Sequence, residues 1–217
     1  MKKILVFSDL HANKQALIDI IPLITEVDLS IFCGDILGFG KDIDYCIDFI
    51  LNNVELIVLG NHDRLAITNE NLEGEDSVVR ELILFTRSKL TMEQIKILSS
   101  LSKEICYENI YVTHSIGDNY LERKNDFKRL CKMAAKDIKY IFFGHTHEKV
   151  IYKCNNKILI NPGSITKGRR GFDRDYLILD GENIQFVNLE DILERCRNCC
   201  WWRCRTKYNQ GVTKYRI

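Results

Sequence analysis

The chain has 217 residues, a formal net charge of +1, 46% hydrophobic and 28% charged side chains. These proportions fit a globular protein and exclude a disordered or collagen-like chain; no apolar run approaches the ~18 residues a membrane span needs, so no membrane partner is expected. The length suits one domain with room for an appendage, and a core of that size folds without disulfides or a structural metal. Met1-Lys2-Lys3 is followed by an apolar stretch, Ile4 to Phe7, too short for a signal peptide. The expected location is the cytoplasm.

Taken in chain order, strands and helices alternate. Ile4 to Phe7 reads as a buried strand. Ala16, Leu17, Ile20, Ile21 and Ile24 recur at helical spacing, with Pro22 predicting a kink or an end. Leu29 to Cys33 is a second strand. Ile43, Cys46, Ile47, Ile50 and Leu51 mark one face of a helix. Glu55 to Leu59 is a third strand. Residues 76–101 read as two helices, the second opened by Thr91 and Gln94 at capping-box spacing. Ile110 to Thr113 is strand-like, and Phe127, Leu130, Cys131, Ala134 and Ile138 form another helical stripe. Tyr140 to Phe143, Lys157 to Ile160, Tyr176 to Leu179 and Ile184 to Val187 follow as strands. This order predicts an α/β layered fold, with chemistry collected beyond the carboxyl ends of strands.

The five histidines all fall at such ends, and none is predicted on a helix face. His11 lies in Ser8-Asp9-Leu10-His11, His62 in Gly60-Asn61-His62-Asp63, His114 in Val112-Thr113-His114-Ser115. His145 and His147 share Gly144-His145-Thr146-His147. Asp35 holds an equivalent place in Cys33-Gly34-Asp35. In an extended strand, residues two apart point the same way, so Asp9 with His11, and His145 with His147, each aim two ligands at one point. Two carboxylates, an amide oxygen and four or five imidazoles are too many for one tetrahedral zinc. They suit two ions such as Mn, Fe, Co, Ni or Zn, and ions about 3.5–4 Å apart are a device for hydrolysing phosphate esters. One carboxylate must then bridge, and Asp35 is the best candidate.

The ordered set Asp9-x-His11, Gly34-Asp35, Gly60-Asn61-His62-Asp63, His114 and Gly144-His145-x-His147 resembles the calcineurin-like metallophosphoesterases over residues 1–188. Gly34-Asp35-Ile36-Leu37-Gly38-Phe39-Gly40, Phe85-Thr86-Arg87 and Asn161-Pro162-Gly163-Ser164 resemble the family's small prokaryotic phosphodiesterase branch. The resemblance implies a four-layer αββα sandwich of two mixed sheets flanked by helices. It implies that Asp9, His11, Asp35 and His147 hold one metal, and Asp35, Asn61, His114 and His145 a second. Manganese is the favoured ion, with Ni, Co, Fe or Zn as alternatives. It further implies that His62 faces the leaving group without ligating, and that Asp63 orients His62 or a ligand. Asp9-Leu10-His11-Ala12-Asn13 departs from a common His-Gly-Asn, and Ala12 is tolerated if its φ is negative. His114-Ser115 stands where His-Gly is frequent.

The implied reaction is hydrolysis of a small soluble phosphodiester or phosphoanhydride by in-line attack of a metal-activated hydroxide. Arg87, Lys167, Arg169 and Arg170 are candidate phosphate contacts, and Phe39 and Phe172 candidate stacking surfaces. A phosphomonoesterase or protein phosphatase is the alternative, weakened because Gly38-Phe39-Gly40-Lys41 replaces the Tyr-Val-Asp-Arg-Gly stretch of protein phosphatases. A protein-binding scaffold of the same fold, as in a retromer subunit that has lost ligand histidines, is the second alternative, opposed by the full histidine set. Self-association is left open.

Charge divides the chain. Of its 31 Lys/Arg, seven fall within residues 195–217, which hold no Asp or Glu; the remainder carries 24 basic against 30 acidic residues. A body of that sign offers no broad basic surface to duplex nucleic acid. The expected domain is 1–190, followed by a basic tail at 191–217 holding Trp201, Trp202, Cys196, Cys199, Cys200 and Cys204. Readings of the tail include a disordered extension, a metal site, an RNA- or anion-binding arm, and an atypical gene end. Cys46 and Cys131 lie on apolar helix stripes and are expected to be buried thiols.

Overall fold

A computed structural model describes residues 2–68, 70–117, 119, 121–166, 174–191 and 213–215. One six-stranded sheet contains β1 (Lys3–Phe7), β2 (Leu29–Phe32), β3 (Leu56–Ile57), β9 (Asp175–Asp180), β10 (Asn183–Asn188) and β11 (Thr213–Tyr215), in the order β11-β10-β9-β1-β2-β3. The other, five-stranded, contains β4 (Glu104–Tyr107), β5 (Ile110–Thr113), β6 (Tyr140–Phe142), β7 (Lys149–Cys154) and β8 (Lys157–Pro162), in the order β4-β5-β6-β8-β7. Both are mixed: β1, β2 and β3 run parallel, as do β5, β6 and β8, with antiparallel strands completing each sheet. The helices are α1 (Lys14–Ile24), α2 (Ile43–Asn53), α3 (Asn61–Ile67), α4 (Ser77–Lys89), α5 (Met92–Ser99) and α6 (Lys124–Met133).

The period-two alternation of strands builds the layers. Ile4, Val6, Leu29 and Ile31 face inward against Val112, Phe142, Ile158 and Ile160 of the second sheet. Their neighbours Leu5, Phe7 and Phe32 point outward onto Leu17 and Ile20 of α1 and Ile47 and Ile50 of α2. On the far side, Tyr111, Ile141 and Leu159 meet Phe127 and Leu130 of α6. The result is the expected αββα sandwich. Among the described residues, no helix is long and apolar enough to cross a membrane.

Local signals explain the helix ends. Asn13 accepts the Ala16 amide and caps α1. The Thr91/Gln94 capping box opens α5 as expected. Pro22 sits in the last turn of α1, so it marks an end rather than a kink. Four elements were not legible, the short β11 in the tail among them. β4 and β7 are edge strands whose residues are partly exposed, so neither shows a buried apolar run. α3 is short, begins inside the Gly60-Asn61-His62-Asp63 segment, and places His62 in a first helical turn, against the expectation that no histidine lies on a helix.

Cys46 and Cys131 are buried thiols. Of the tail, only the 213–215 strand, paired along β10, and the segment up to Asp191 are described. Trp201, Trp202 and the four tail cysteines lie outside the described residues.

Candidate functional site

Every parallel strand delivers its carboxyl end to a single place. The loop after β1 carries Asp9 and His11, that after β2 Asp35, that after β3 Asn61 and His62, that after β5 His114, that after β6 His145 and His147. Asp9, His11, Asp35, His62, His114, His145 and His147 are all buried. Backbone bonds lock the loops together: Asp9 N–H donates to Gly34 O at 3.0 Å, Leu10 and His11 N–H to Asp35 O at 2.9 and 3.0 Å, and Gly144 N–H to His114 O at 3.1 Å.

The paired ligands converge by a route other than extended strand. Asp9, His11, Asp35, His145 and His147 have φ of 59°, 49°, 63°, 72° and 59°, and Ala12 has 53°. Six of the eight non-glycine residues with positive φ among those described thus belong to this site; the other two are Glu108 and Asn155. Left-handed backbone costs an L-residue about 1–2 kcal/mol, and such strain gathers where function over-determines the chain. The condition set for Ala12, a negative φ, is not met: the alanine occupies a position a glycine would fill at less cost. Two glycines permit the close approach. A Cβ on Gly60 would collide with the Asp35 carboxylate, and one on Gly144 with Ser8 Oγ.

Hydrogen bonds settle tautomers. His11 Nδ1–H donates to Leu37 O at 3.1 Å, leaving the Nε2 lone pair 3.0 Å from His147 Nε2. His147 Nε2 lies 3.2 Å from Asp9 Oδ1. His114 Nδ1–H donates to Cys33 O at 2.7 Å, leaving Nε2 facing Asn61 Oδ1 at 3.0 Å and Asp35 Oδ2 at 3.4 Å. His145 Nδ1 lies 2.8 Å from the same Asn61 oxygen. Ring nitrogens of His11 and His147 thus face one another, and the Asn61 oxygen lies between those of His114 and His145. Asp9 Oδ2 and His62 Nδ1 are buried without a hydrogen-bond partner among the described residues. An ionised oxygen buried so is costly unless a cation meets it.

Burial opposes charge on His114, but the carboxylates of Asp35 and Asp9 outweigh it and push the imidazole up to about 10. Against burial, His147 holds Asp9 down at about 2. Asp35 is held well below the carboxylate range, against burial, by His114 and His62. Burial keeps His11 neutral down to about 4, in the state a metal ligand requires. Three overlapping trios have ligand atoms within 4.8 Å of one another: Asp9/His11/His147, Asp9/Asp35/His114 and His11/Asp35/His62. Asp9, His11 and Asp35 each belong to two of them. The donor set, its burial and its unpartnered oxygen fit divalent ions of the borderline class.

Residues without a ligand role hold the rest. Asp63 does not touch His62: its carboxylate accepts the amides of Asp35, Ile36 and Gly60 on Oδ2 at 3.0, 3.2 and 3.0 Å, and of Leu37 on Oδ1 at 2.8 Å. It is a clamp on the loop that aims Asp35. Asn161 clamps the opposite loop, donating to Gly144 O at 2.7 Å and Thr146 Oγ1 at 3.0 Å while accepting Gly163 N–H at 2.9 Å. Ser164 and Thr166 hydroxyls both donate to Asp9 O at 3.0 Å. The Asn161-Pro162-Gly163-Ser164 segment was visible in sequence, but not its task. Phe39 is 51% exposed and stands beside His11 and His62, ring centres 5.0 and 5.4 Å away. Arg87 is instead tied to α3 and the loop beyond, donating to Leu65 O at 2.9 Å and Glu70 O at 3.2 Å. Lys167, Arg169, Arg170 and Phe172 lie outside the described residues.

This arrangement has counterparts. Protein MJ0912 of Methanocaldococcus jannaschii, itself uncharacterized, is 30% identical over 212 residues, 86% of this chain and 87% of that protein. A metallophosphoesterase from Sphaerobacter thermophilus superposes with a TM-score of 0.68 at 22% identity, over 86% of this chain and 87% of that one. A structure described as a novel archaeal phosphodiesterase superposes at 0.52 with 19% identity, over 86% and 99%. The family model for the calcineurin-like phosphoesterase superfamily domain matches residues 1–183, and the chain belongs to that superfamily.

Proposed function

We propose that the protein hydrolyses a small soluble phosphodiester or phosphoanhydride using two divalent metal ions, manganese foremost. Asp9, His11, Asp35 and His147 would hold one ion and Asp35, Asn61, His114 and His145 the other. Such ions supply acidity that makes water a nucleophile near neutral pH and positive charge that offsets the phosphate. The observation that carries this reading is the buried convergence of carboxylates, an amide oxygen and imidazoles, with Asp9 Oδ2 unpartnered among the described residues.

His62 stands at the rim, close to His11 and exposed Phe39. From there it can protonate or hydrogen-bond a departing oxygen, while Phe39 offers a face to an aryl or base group. A diester fits better than a monoester. Among the described residues, Asp9 and Asp35 pair with imidazoles and with no lysine or arginine, and Arg87 is spent on backbone carbonyls. The cations that line the neighbouring cavity are Arg64, which is paired with Glu70, and Lys103. Beside Asn61 and His114 opens a cavity of about 530 Å³, also lined by Arg64, Ser115 and Ile116, of a size for a small substrate.

The test is hydrolysis of nitrophenyl diesters, nitrophenyl monoesters and dinucleoside polyphosphates after chelation and after adding back Mn, Ni or Co. Metal-restored activity with diester rates above monoester rates is expected. Faster monoester turnover would replace the diester reading, and neither activity nor metal uptake would favour a binding scaffold. His62→Ala should lower turnover about 10²–10⁴-fold with two ions per chain retained. Loss of an ion would make His62 a ligand, as its place in a trio with His11 and Asp35 allows.

A further inference from the structure

We propose a second, anion-binding site at the opposite end of the molecule, fitted to a small ligand carrying phosphate groups. A cavity of about 570 Å³ opens between the C-terminal end of α6 and the β7–β8 turn. Lys128, Lys132, Lys136 and Lys157 line it together with Asn155 and Asn156, and no carboxylate does. β8 runs from this cavity toward the metal-facing loops, which six strand residues place roughly 20 Å away.

Lys157 is the anchor. It is 8% exposed, and its Nζ donates to Cys131 O at 2.9 Å and Ala134 O at 2.5 Å. Those carbonyls belong to the frayed end of α6, so the ammonium is fixed by the fold. An ammonium has three donors, and the third has no partner among the described residues. Lys128 and Lys132 sit four apart on α6, an arrangement that like charges disfavour. In a body with 24 basic against 30 acidic residues, four lysines around one recess run against the average, and a bound anion relieves the repulsion. Ammonium groups bind phosphate as point charges, and the Asn155 and Asn156 amides add neutral donors. The recess has the volume of a small-molecule pocket and is concave, which suits a compact phosphorylated ligand rather than a duplex or a bilayer.

Inorganic pyrophosphate is the probe, titrated calorimetrically into the full chain kept in chelator, so that metal-dependent binding is silent. Saturable binding is expected, weakened at least tenfold in Lys128→Glu/Lys132→Glu, whose side chains are exposed and whose change leaves folding and diester hydrolysis intact. As a second readout, pyrophosphate should slow alkylation of Cys154, which lines the cavity, and leave that of exposed Cys106 on β4 unchanged. Absence of saturable binding, affinity unaltered in the lysine variant, or equal effects on the two thiols would overturn the proposal.

Discussion

The loop after β2 and the loop after β6 carry facing halves of the site, and each is held by one buried side chain. Asp63 gathers four backbone amides around Asp35; Asn161 donates to the Gly144 carbonyl and the Thr146 hydroxyl of the His145–His147 loop and accepts the Gly163 amide of its own loop. The chemistry follows the backbone. Where the loop presents N–H groups, an acceptor-only carboxylate fits; where it presents both kinds, an amide does. The difference has an electrostatic consequence. Asp63 lies near Asp35, and burial with that neighbouring charge raises it to about 7 against the backbone amides that favour ionisation. Asn161 carries no charge and no such penalty.

The largest effect should come from Asn161→Ala, which leaves the Gly163 amide buried without its partner and the Gly144 carbonyl with the Thr146 N–H alone. At about 1–3 kcal/mol for the orphaned amide, and about 0.5–1.5 kcal/mol for each of the two donated bonds also lost, a loss of roughly 3 kcal/mol is expected in denaturant unfolding. A cost below about 1 kcal/mol would show that the β6 loop does not depend on this clamp. Asp63→Asn keeps the volume but turns one acceptor into a donor against backbone amides. It should cost about 2 kcal/mol and weaken metal binding about 10–100-fold, measured by metal titration of the purified variant. Unchanged metal affinity would detach Asp63 from Asp35.

pH separates the two clamps. A carboxyl group whose folded pKa lies above its ordinary value of 3.8 favours the fold most below that value and loses the contribution as pH rises through about 7. His114, raised to about 10, falls in the same direction above its ordinary 6.5. The quantity to read is therefore a difference between proteins. In chelator, wild type should lose stability between about pH 4 and 7 more steeply than Asp63→Asn, whereas Asn161→Ala keeps the wild-type slope. Equal slopes in all three would remove Asp63 from the account. The smallest effect is Ala12→Gly, which relieves a φ of 53°. A gain of about 1 kcal/mol should raise the melting temperature by roughly 2–4 °C; a fall would mean that the Ala12 methyl contributes more by packing than its strain costs.

Much of the site was readable because its ligands are chemically distinctive and sit at the ends of apolar runs. Asp9, His11, Asp35, Asn61, His114, His145 and His147 are brought together as their residue types suggested. The geometry that joins them was not. Alternation along an extended strand explains the convergence of His145 and His147 on paper, yet both residues are left-handed, and no side-chain pattern announces that. The clamps were missed for a related reason. Asn161 and Asp63 act on backbone groups far along the chain, and backbone partners leave no trace in composition. Arg87 was drawn toward phosphate by its charge and is used on carbonyls instead. The α/β layering was legible from the order of strands and helices, and the four-layer sandwich from the family resemblance, whereas β4 and β7, partly exposed at the sheet edge, lacked the signal.

Counting metal ions tests the central claim most directly. Elemental analysis of the manganese-reconstituted protein should give two ions per chain, and Asp35→Ala should lose both together with activity. One ion per chain in the wild type, or full occupancy in Asp35→Ala, would contradict a centre bridged by Asp35.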